Sequence, residues 1–175
     1  VLELFVLNKY TEDTELSHFL KPCRQGQDMA ILSEAGAPGI ADPGAELISL
    51  AHQERIRVVP LSGPSSILMG MMASGMNGQN FAITGYLPID KAERSKAIKN
   101  LEKTSLKTGQ TQIFMETPYR NQKLLKDLIS TCKPSTRLCI ACDVSLQSEA
   151  IHSASMEWWQ SNIPDIEKRP AIFIL

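Results

Sequence analysis

The chain has 175 residues and a net charge of −1, long enough for one large domain or two small ones with a real core. Apolar residues make up 43% and charged residues 21%, a balance that excludes a disordered chain. A net charge this small selects no partner, since a nucleic-acid binder needs only a local basic patch. No apolar run approaches the ~20 residues of a membrane span. No basic segment followed by a hydrophobic core marks a signal peptide, so no membrane is expected as a partner and a cytoplasmic location is. The chain opens without methionine in Val1-Leu2-Glu3-Leu4-Phe5-Val6-Leu7 and is expected to start inside a longer gene product.

In chain order, Thr14–Leu20 looks helical, with Leu16, Phe19 and Leu20 on one face. Met29–Leu32 is expected to be a short buried strand running into a loop rich in Gly and Pro. A helix over Ala45–Gln53 follows, opened by Pro43, with Asp42 as its expected N-cap. Arg57–Leu61 is the next expected strand, and Gly63-Pro64-Ser65-Ser66 leads into a helix over Ile67–Ala73. The stretch Ser74 to Asn80 is a linker, which divides the chain into residues 1–79 and 80–175.

Beyond it come a strand (Phe81–Thr84), a charged helix (Ala92–Lys103), a strand (Thr111–Met115) and a helix (Tyr119–Thr131). The run Arg137 to Cys142, a strand near Ala150–His152, a short helix at Trp158-Trp159 and a strand over Ala171–Leu175 complete the chain. Alternating strands and helices predict an α/β fold with parallel pairs in the first half. Four cysteines, Cys23, Cys132, Cys139 and Cys142, are too few for a disulfide framework in a chain this long. Cys139 and Cys142 have C-x-x-C spacing, but on a strand this odd offset points the thiols to opposite faces. Packed thiols are the better reading, and no metal is expected.

The segment Ser33-Glu34-Ala35-Gly36-Ala37-Pro38-Gly39-Ile40-Ala41-Asp42-Pro43-Gly44 holds three glycines and two prolines between an expected strand and a helix. Such a loop turns backbone N–H groups toward a ligand, although Gly and Pro also cluster in ordinary tight turns. Gly63-Pro64-Ser65-Ser66 is placed likewise, and two loops on the carboxyl edge of a parallel sheet make a ligand site. Neither is a P-loop and no G-x-G-x-x-G occurs. The residues alone therefore indicate a non-phosphate ligand held by backbone contacts.

The loop SEAGAPGIADPG resembles the S-D-A-G-x-P-x-x-S-D-P-G loop of the tetrapyrrole-methylase family, in its ribosomal RNA branch. V-V-P-L-S-G-P-S-S, G-Y-L-P and M-E-T-P-Y-R then resemble, in order, the family's proline-glycine-proline-serine turn, its G-F-L-P and its E-S-P-H-R. The branch resembled comprises small-subunit ribosomal RNA methyltransferases that 2′-O-methylate a cytidine ribose. The resemblance implies a homodimer of two-domain subunits: an N-terminal parallel-sheet domain, incomplete here, and a C-terminal mixed-sheet domain, with S-adenosylmethionine between them. By position it implies cofactor contacts from Ser33, Glu34, Ala35 and Gly36, from Asp42 and Gly44, from Ser65 and Ser66, from Tyr86, Leu87 and Pro88, and from Pro170 and Ala171.

This sequence also departs from the pattern. It lacks the family's first strand and loop, starting about one-quarter of the way in, and Glu34 stands where the branch has Asp. The family's A-R-E-L-T-K is here Ala141-Cys142-Asp143-Val144-Ser145-Leu146, without its arginine and lysine.

Methyl transfer from a sulfonium is chiefly an alignment task, and a ribose hydroxyl also needs a group to take its proton. Glu116, at the end of a strand, suits that role or that of an acid at a helix N-terminus. Arg120 is a candidate phosphate or acceptor contact, or a surface residue. Lys96, Lys99 and Lys103 form a helical stripe with Lys91 and Arg94 nearby, a phosphate track or a solvated face diluted by Glu93 and Glu102. Of the adjacent Trp158 and Trp159, one is expected in the core and the other partly exposed, with stacking of one on a base or on a dimer partner as the alternative. A ribosomal RNA methyltransferase is thus the leading reading. Small-molecule methylation and cofactor binding without catalysis are the alternatives.

Overall fold

The computed structural model describes residues 3–175; Val1 and Leu2 lie outside it. The chain forms two compact units, 1–65 and 66–175.

In the first unit, α1 (Asp13–Phe19) begins where the Glu15 carboxylate accepts the Glu12 N–H at 3.1 Å. Its apolar face, Leu16, Phe19 and the following Leu20, packs on Leu47 and Ala51 of α3 (Ala45–Gln53). The rings of Phe5 and Phe19 meet at 4.9 Å. Arg24, at the end of α2 (Lys21–Arg24), grips Glu54 with both branches of its guanidinium, at 2.7 and 2.5 Å.

Two expectations fail here. Met29–Leu32 and Arg57–Leu61 are not strands, because a strand needs a ladder partner and their backbone groups pair with none among the described residues. Nor does Asp42 cap α3. The N-cap is Gly44, at φ 139°, and no side chain caps the helix.

The second unit is built on a five-stranded sheet ordered β1-β2-β5-β3-β4: β1 Phe81–Tyr86, β2 Thr111–Met115, β3 Arg137–Cys142, β4 Ala150–Ser155 and β5 Ala171–Ile174. Only β1 and β2 run parallel; β5 is antiparallel to both β2 and β3, and β4 to β3. Alternation along the central strands divides the core into two layers. Phe114, Leu138, Ile140, Cys142 and Phe173 face α5 (Lys91–Thr108), α6 (Asn121–Thr131) and α7 (Met156–Ser161). Ile113, Cys139, Ala141, Ile172 and Ile174 face α4 (Ser66–Ser74). The two thiols of the C-x-x-C spacing thus lie on opposite faces, as the strand period requires.

Helix α4 approaches this sheet closely at Gly70, where a Cβ would sit 3.1 Å from that of Ala141. By packing, α4 belongs with the second unit, although it precedes the linker in sequence. Trp159 is buried and donates its indole N–H to the Leu138 carbonyl at 2.9 Å, while Trp158 is 41% exposed. No helix among the described residues is long and apolar enough to cross a membrane.

Candidate ligand-binding loops and sheet edge

In the first unit the loop over residues 33–44 contains four positive-φ positions: Gly36 (76°), Gly39 (76°), Ala41 (55°) and Gly44 (139°). That conformation is nearly free for glycine and strained for other L-residues. The turns it creates consume few backbone donors. Within the loop, the Ala35 N–H reaches Ser33 Oγ at 3.3 Å and the Ile40 N–H reaches the Ala37 carbonyl at 3.2 Å. Its other N–H groups find no partner among the described residues. Glu34, Ala35 and Gly36 are exposed, Ser33 and Asp42 half-buried and Gly44 buried. A Cβ on Gly36 would meet no atom within 4 Å. Free amides over open space fit a ligand gripped by backbone, which S-adenosylmethionine would be. Ser65, at the end of this unit, is buried, and the exposed Ser66 opens α4.

The second unit gathers several expected residues on one sheet edge. The parallel pairing sets Tyr86 opposite Met115, and the antiparallel pairings set Met115 opposite Ile172 and Ala171 opposite Cys142. Leu87-Pro88, Glu116, Asp143 and Pro170 therefore all leave the sheet at the same end. A register shift between Ile83 and Gly85 precedes Tyr86, which is exposed, whereas Leu87 is buried. Pro170 is exposed and Ala171 buried.

Glu116 is 5% exposed, and its Oε1 accepts both the Thr117 N–H (2.7 Å) and Arg120 Nη2 (2.5 Å). The carboxylate thus fixes the one-turn 3-10 helix Pro118–Arg120 that leads into α6. Arg120 Nε is buried without a partner.

Residues not singled out from the sequence complete the edge. Asp143 is buried, and its Oδ2 accepts Ser148 Oγ at 2.7 Å and Arg169 Nε at 2.8 Å. The Ser148 hydroxyl, with Arg169 beyond it, holds the Asp143 carboxyl below the usual carboxylate range. Arg169 also donates to the carbonyls of Asp165 (2.9 Å) and Ser148 (2.7 Å). Asn121, wholly buried, donates to the Arg169 carbonyl at 2.6 Å and leaves its own Oδ1 unpartnered. The only sequence signal for this cluster was the altered A-C-D-V-S-L segment. Its partners lie 26 and 48 positions apart along the chain.

One expected RNA contact is overturned. Arg94 is 2% exposed and faces the core layer. Its Nε donates to Asp127 Oδ2 at 2.7 Å, and its Nη1 donates to the carbonyls of Pro88 (3.1 Å) and Ile89 (2.6 Å). Nη2 lies 2.6 Å from the same Asp127 oxygen, an ion-pair contact without hydrogen-bond alignment. Glu102 is also buried, accepting the Lys133 N–H at 2.7 Å and the Thr136 hydroxyl, so it does not dilute the lysine face. Lys96, Lys99 and Lys103 are exposed on one stripe, and Lys91 is exposed off it. Asp90 caps the helix, accepting from Ala92 and Glu93.

The second unit is a mixed-sheet α/β fold and the first carries a glycine-rich loop, and known proteins resemble the chain in sequence and in fold. The sequence matches the family described as Tetrapyrrole (Corrin/Porphyrin) Methylases over residues 6–157. It is 32% identical over 151 residues to ribosomal RNA small subunit methyltransferase I of Escherichia coli O157:H7, an alignment covering 86% of this chain and 51% of that protein. Against the protein of the same name from Buchnera aphidicola subsp. Schizaphis graminum the identity is 29% over 176 residues, covering 98% and 60%. The chain spans about half the length of the curated relatives it matches.

Among solved structures, the methyltransferase CobJ superposes with a TM-score of 0.58 at 16% identity, over 91% of this chain and 69% of that one. Uroporphyrin-III C-methyl transferase of Thermus thermophilus complexed with S-adenyl homocysteine gives 0.53 at 16%, over 93% and 72%. These likenesses are of fold. The chain belongs to the tetrapyrrole (corrin/porphyrin) methylase family.

Proposed function

We propose that this chain is part of an S-adenosylmethionine-dependent methyltransferase that 2′-O-methylates a ribose of ribosomal RNA. One observation carries the reading: relatives that share the name ribosomal RNA small subunit methyltransferase I align over most of this chain, including its glycine-rich loop. The unpaired amides of that loop support it independently. A symmetric homodimer and a cytoplasmic location belong to the same reading.

When bound, S-adenosylmethionine supplies a methyl group already activated on a sulfonium. The chain's task is then to hold donor and acceptor in line. In this reading the amides around Ser33–Gly36 and Asp42–Gly44 of the first unit would hold the cofactor. Glu116 and Arg120 orient the acceptor: the part-exposed guanidinium offers a donor to a ribose or phosphate oxygen, and the carboxylate receives the hydroxyl proton.

Labelled methyl transfer from S-adenosylmethionine to total RNA of a strain lacking the gene tests this. Label should enter ribosomal RNA, and Gly36→Val, a β-branched side chain at φ 76°, should abolish both transfer and cofactor binding while the helix content persists. Cofactor binding unchanged in Gly36→Val would remove the loop from the site.

A further inference from the structure

We infer that the outer face of the α5–α6–α7 layer is a docking surface for single-stranded RNA, an extended lysine track that ends in a stacking platform formed by Trp158 and His152. The inference rests on RNA being the substrate and goes beyond the α5 stripe.

Helices α5 and α6 lie side by side on one sheet face, with α7 next to α6. On α5 the inward positions include Arg94, Ile98 and Glu102; on α6 they are Asn121, Leu124, Leu125 and Leu128. At 100° per residue, Lys96, Lys99, Lys103 and Lys107 fall on the side of α5 opposite the core, and Lys123 and Lys126 on the corresponding side of α6. All six are exposed. Two neighbouring helices thus present lysines in the same outward direction, and the α5 row alone spans ~16 Å.

These cations are uncommitted. The ion pairs among the described residues, Arg24–Glu54, Arg94–Asp127, Arg120–Glu116 and Arg169–Asp143, all use arginine. The nearby carboxylates of Asp127 and Glu102 are turned inward, each already bonded, and the exposed Glu93 forms no ion pair with a lysine among the described residues. Phosphates would therefore displace only solvent and counterions.

At the α7 side of the layer, the exposed Trp158 ring lies 4.4 Å from the His152 ring of edge strand β4, with 37° between the planes. Trp159 meets both rings edge-on from the core, at 5.0 and 5.5 Å. The indole is thus held in place with accessible surface left over, the arrangement on which an unpaired base stacks. A lysine track alone would suit duplex or single strand equally; the aromatic platform selects a strand with unstacked bases.

The test is fluorescence anisotropy of the whole chain, without cofactor, on a labelled unstructured RNA of about 12 nucleotides over a salt series. The double variant Lys123→Gln/Lys126→Gln should lower the log-log salt slope by about 1.4, two contacts at roughly 0.7 each on a single strand. Trp158→Ala should weaken binding ~10-fold with an unchanged slope, and Trp158→Phe should restore most of that loss. Phosphatidylcholine–phosphatidylserine vesicles form the comparison arm and should not bind. An unchanged slope in the lysine pair, full affinity in Trp158→Ala, or vesicle binding lost in the same variants would each overturn the proposal. Because the assay needs no cofactor, RNA binding without methyl transfer would uphold this surface while sinking the proposed reaction. Transfer that survives in both variants at wild-type RNA affinity would do the reverse.

Discussion

Replacing Arg94 separates a structural cation from the RNA contact that its place in a basic helix suggested. Arg94 and Asp127 are 3% and 13% exposed at their side chains. In Arg94→Met the stem volume is kept, but Asp127 loses its counter-charge and the carbonyls of Pro88 and Ile89 lose their donor. Breaking a buried pair from one side typically costs 3–5 kcal/mol. Asp127 retains enough exposure to recruit water, which puts this loss at the lower end, about 3 kcal/mol. In urea, with a slope of roughly 1–3 kcal/mol/M, the midpoint should fall by about 1–3 M. Lys96→Gln, on the opposite side of the same helix, should stay within ~0.5 kcal/mol of the parent. The double variant Arg94→Met/Asp127→Leu should recover most of the loss, since two apolar groups strand no charge. Circular dichroism during urea titration measures all four proteins. An Arg94→Met midpoint indistinguishable from the parent would show that the pair is not a constraint in solution.

The buried thiols lead to a second expectation. Cys132 is pushed up to about 12, by burial first and by Glu102 second, and burial likewise raises Cys139 and Cys142. At pH 8 a disulfide exchange reagent should therefore titrate one thiol of the native chain, the half-buried Cys23, and all four in urea; rapid reaction of two or more in the native chain would contradict the packing. Asp143 makes the third. Its lowered pKa contributes stability that is present above the ordinary carboxylate value and lost as pH falls through the depressed one. Arg169→Gln should thus be less stable than the parent at pH 7, with the gap narrowing below about pH 4; a gap independent of pH would remove the ion pair from the explanation.

Local pattern was informative wherever a single period governs. Strand Thr111–Met115, the opposed thiols of Cys139 and Cys142, and the split roles of Trp158 and Trp159 all follow from spacing alone. The failures occurred where a residue's fate depends on distant chain. Met29–Leu32 and Arg57–Leu61 have strand composition but no ladder, and composition cannot supply a partner. Asp42 looked like a cap because it precedes Pro43, but the positive-φ turn at Gly44 moves the helix start beyond its reach. The helical period alone also places Arg94: two residues before Lys96 puts it about 160° around the helix, nearly opposite the lysine stripe. Asp143, Arg169 and Asn121 come together only through strand order, so no local window contains the cluster.

That cluster also bears on the motif departure at Cys142. The loops leaving this end of the sheet are each tied by a guanidinium. Arg94 holds the carbonyls of Pro88 and Ile89, Arg120 holds Glu116, and Arg169 joins Asp143, Ser148 and Asp165. A planar fork with several fixed donors suits this task, because it can satisfy a carboxylate and backbone carbonyls together where a lysine ammonium, compact and strongly hydrated, cannot. The arginine absent from position 142 is therefore not missing from the end of β3. Arg169, entering from the start of β5, delivers a guanidinium to Asp143 there. The edge can remain preorganised without that motif arginine, and the exposed lysines of α5 and α6 take part in none of these ties.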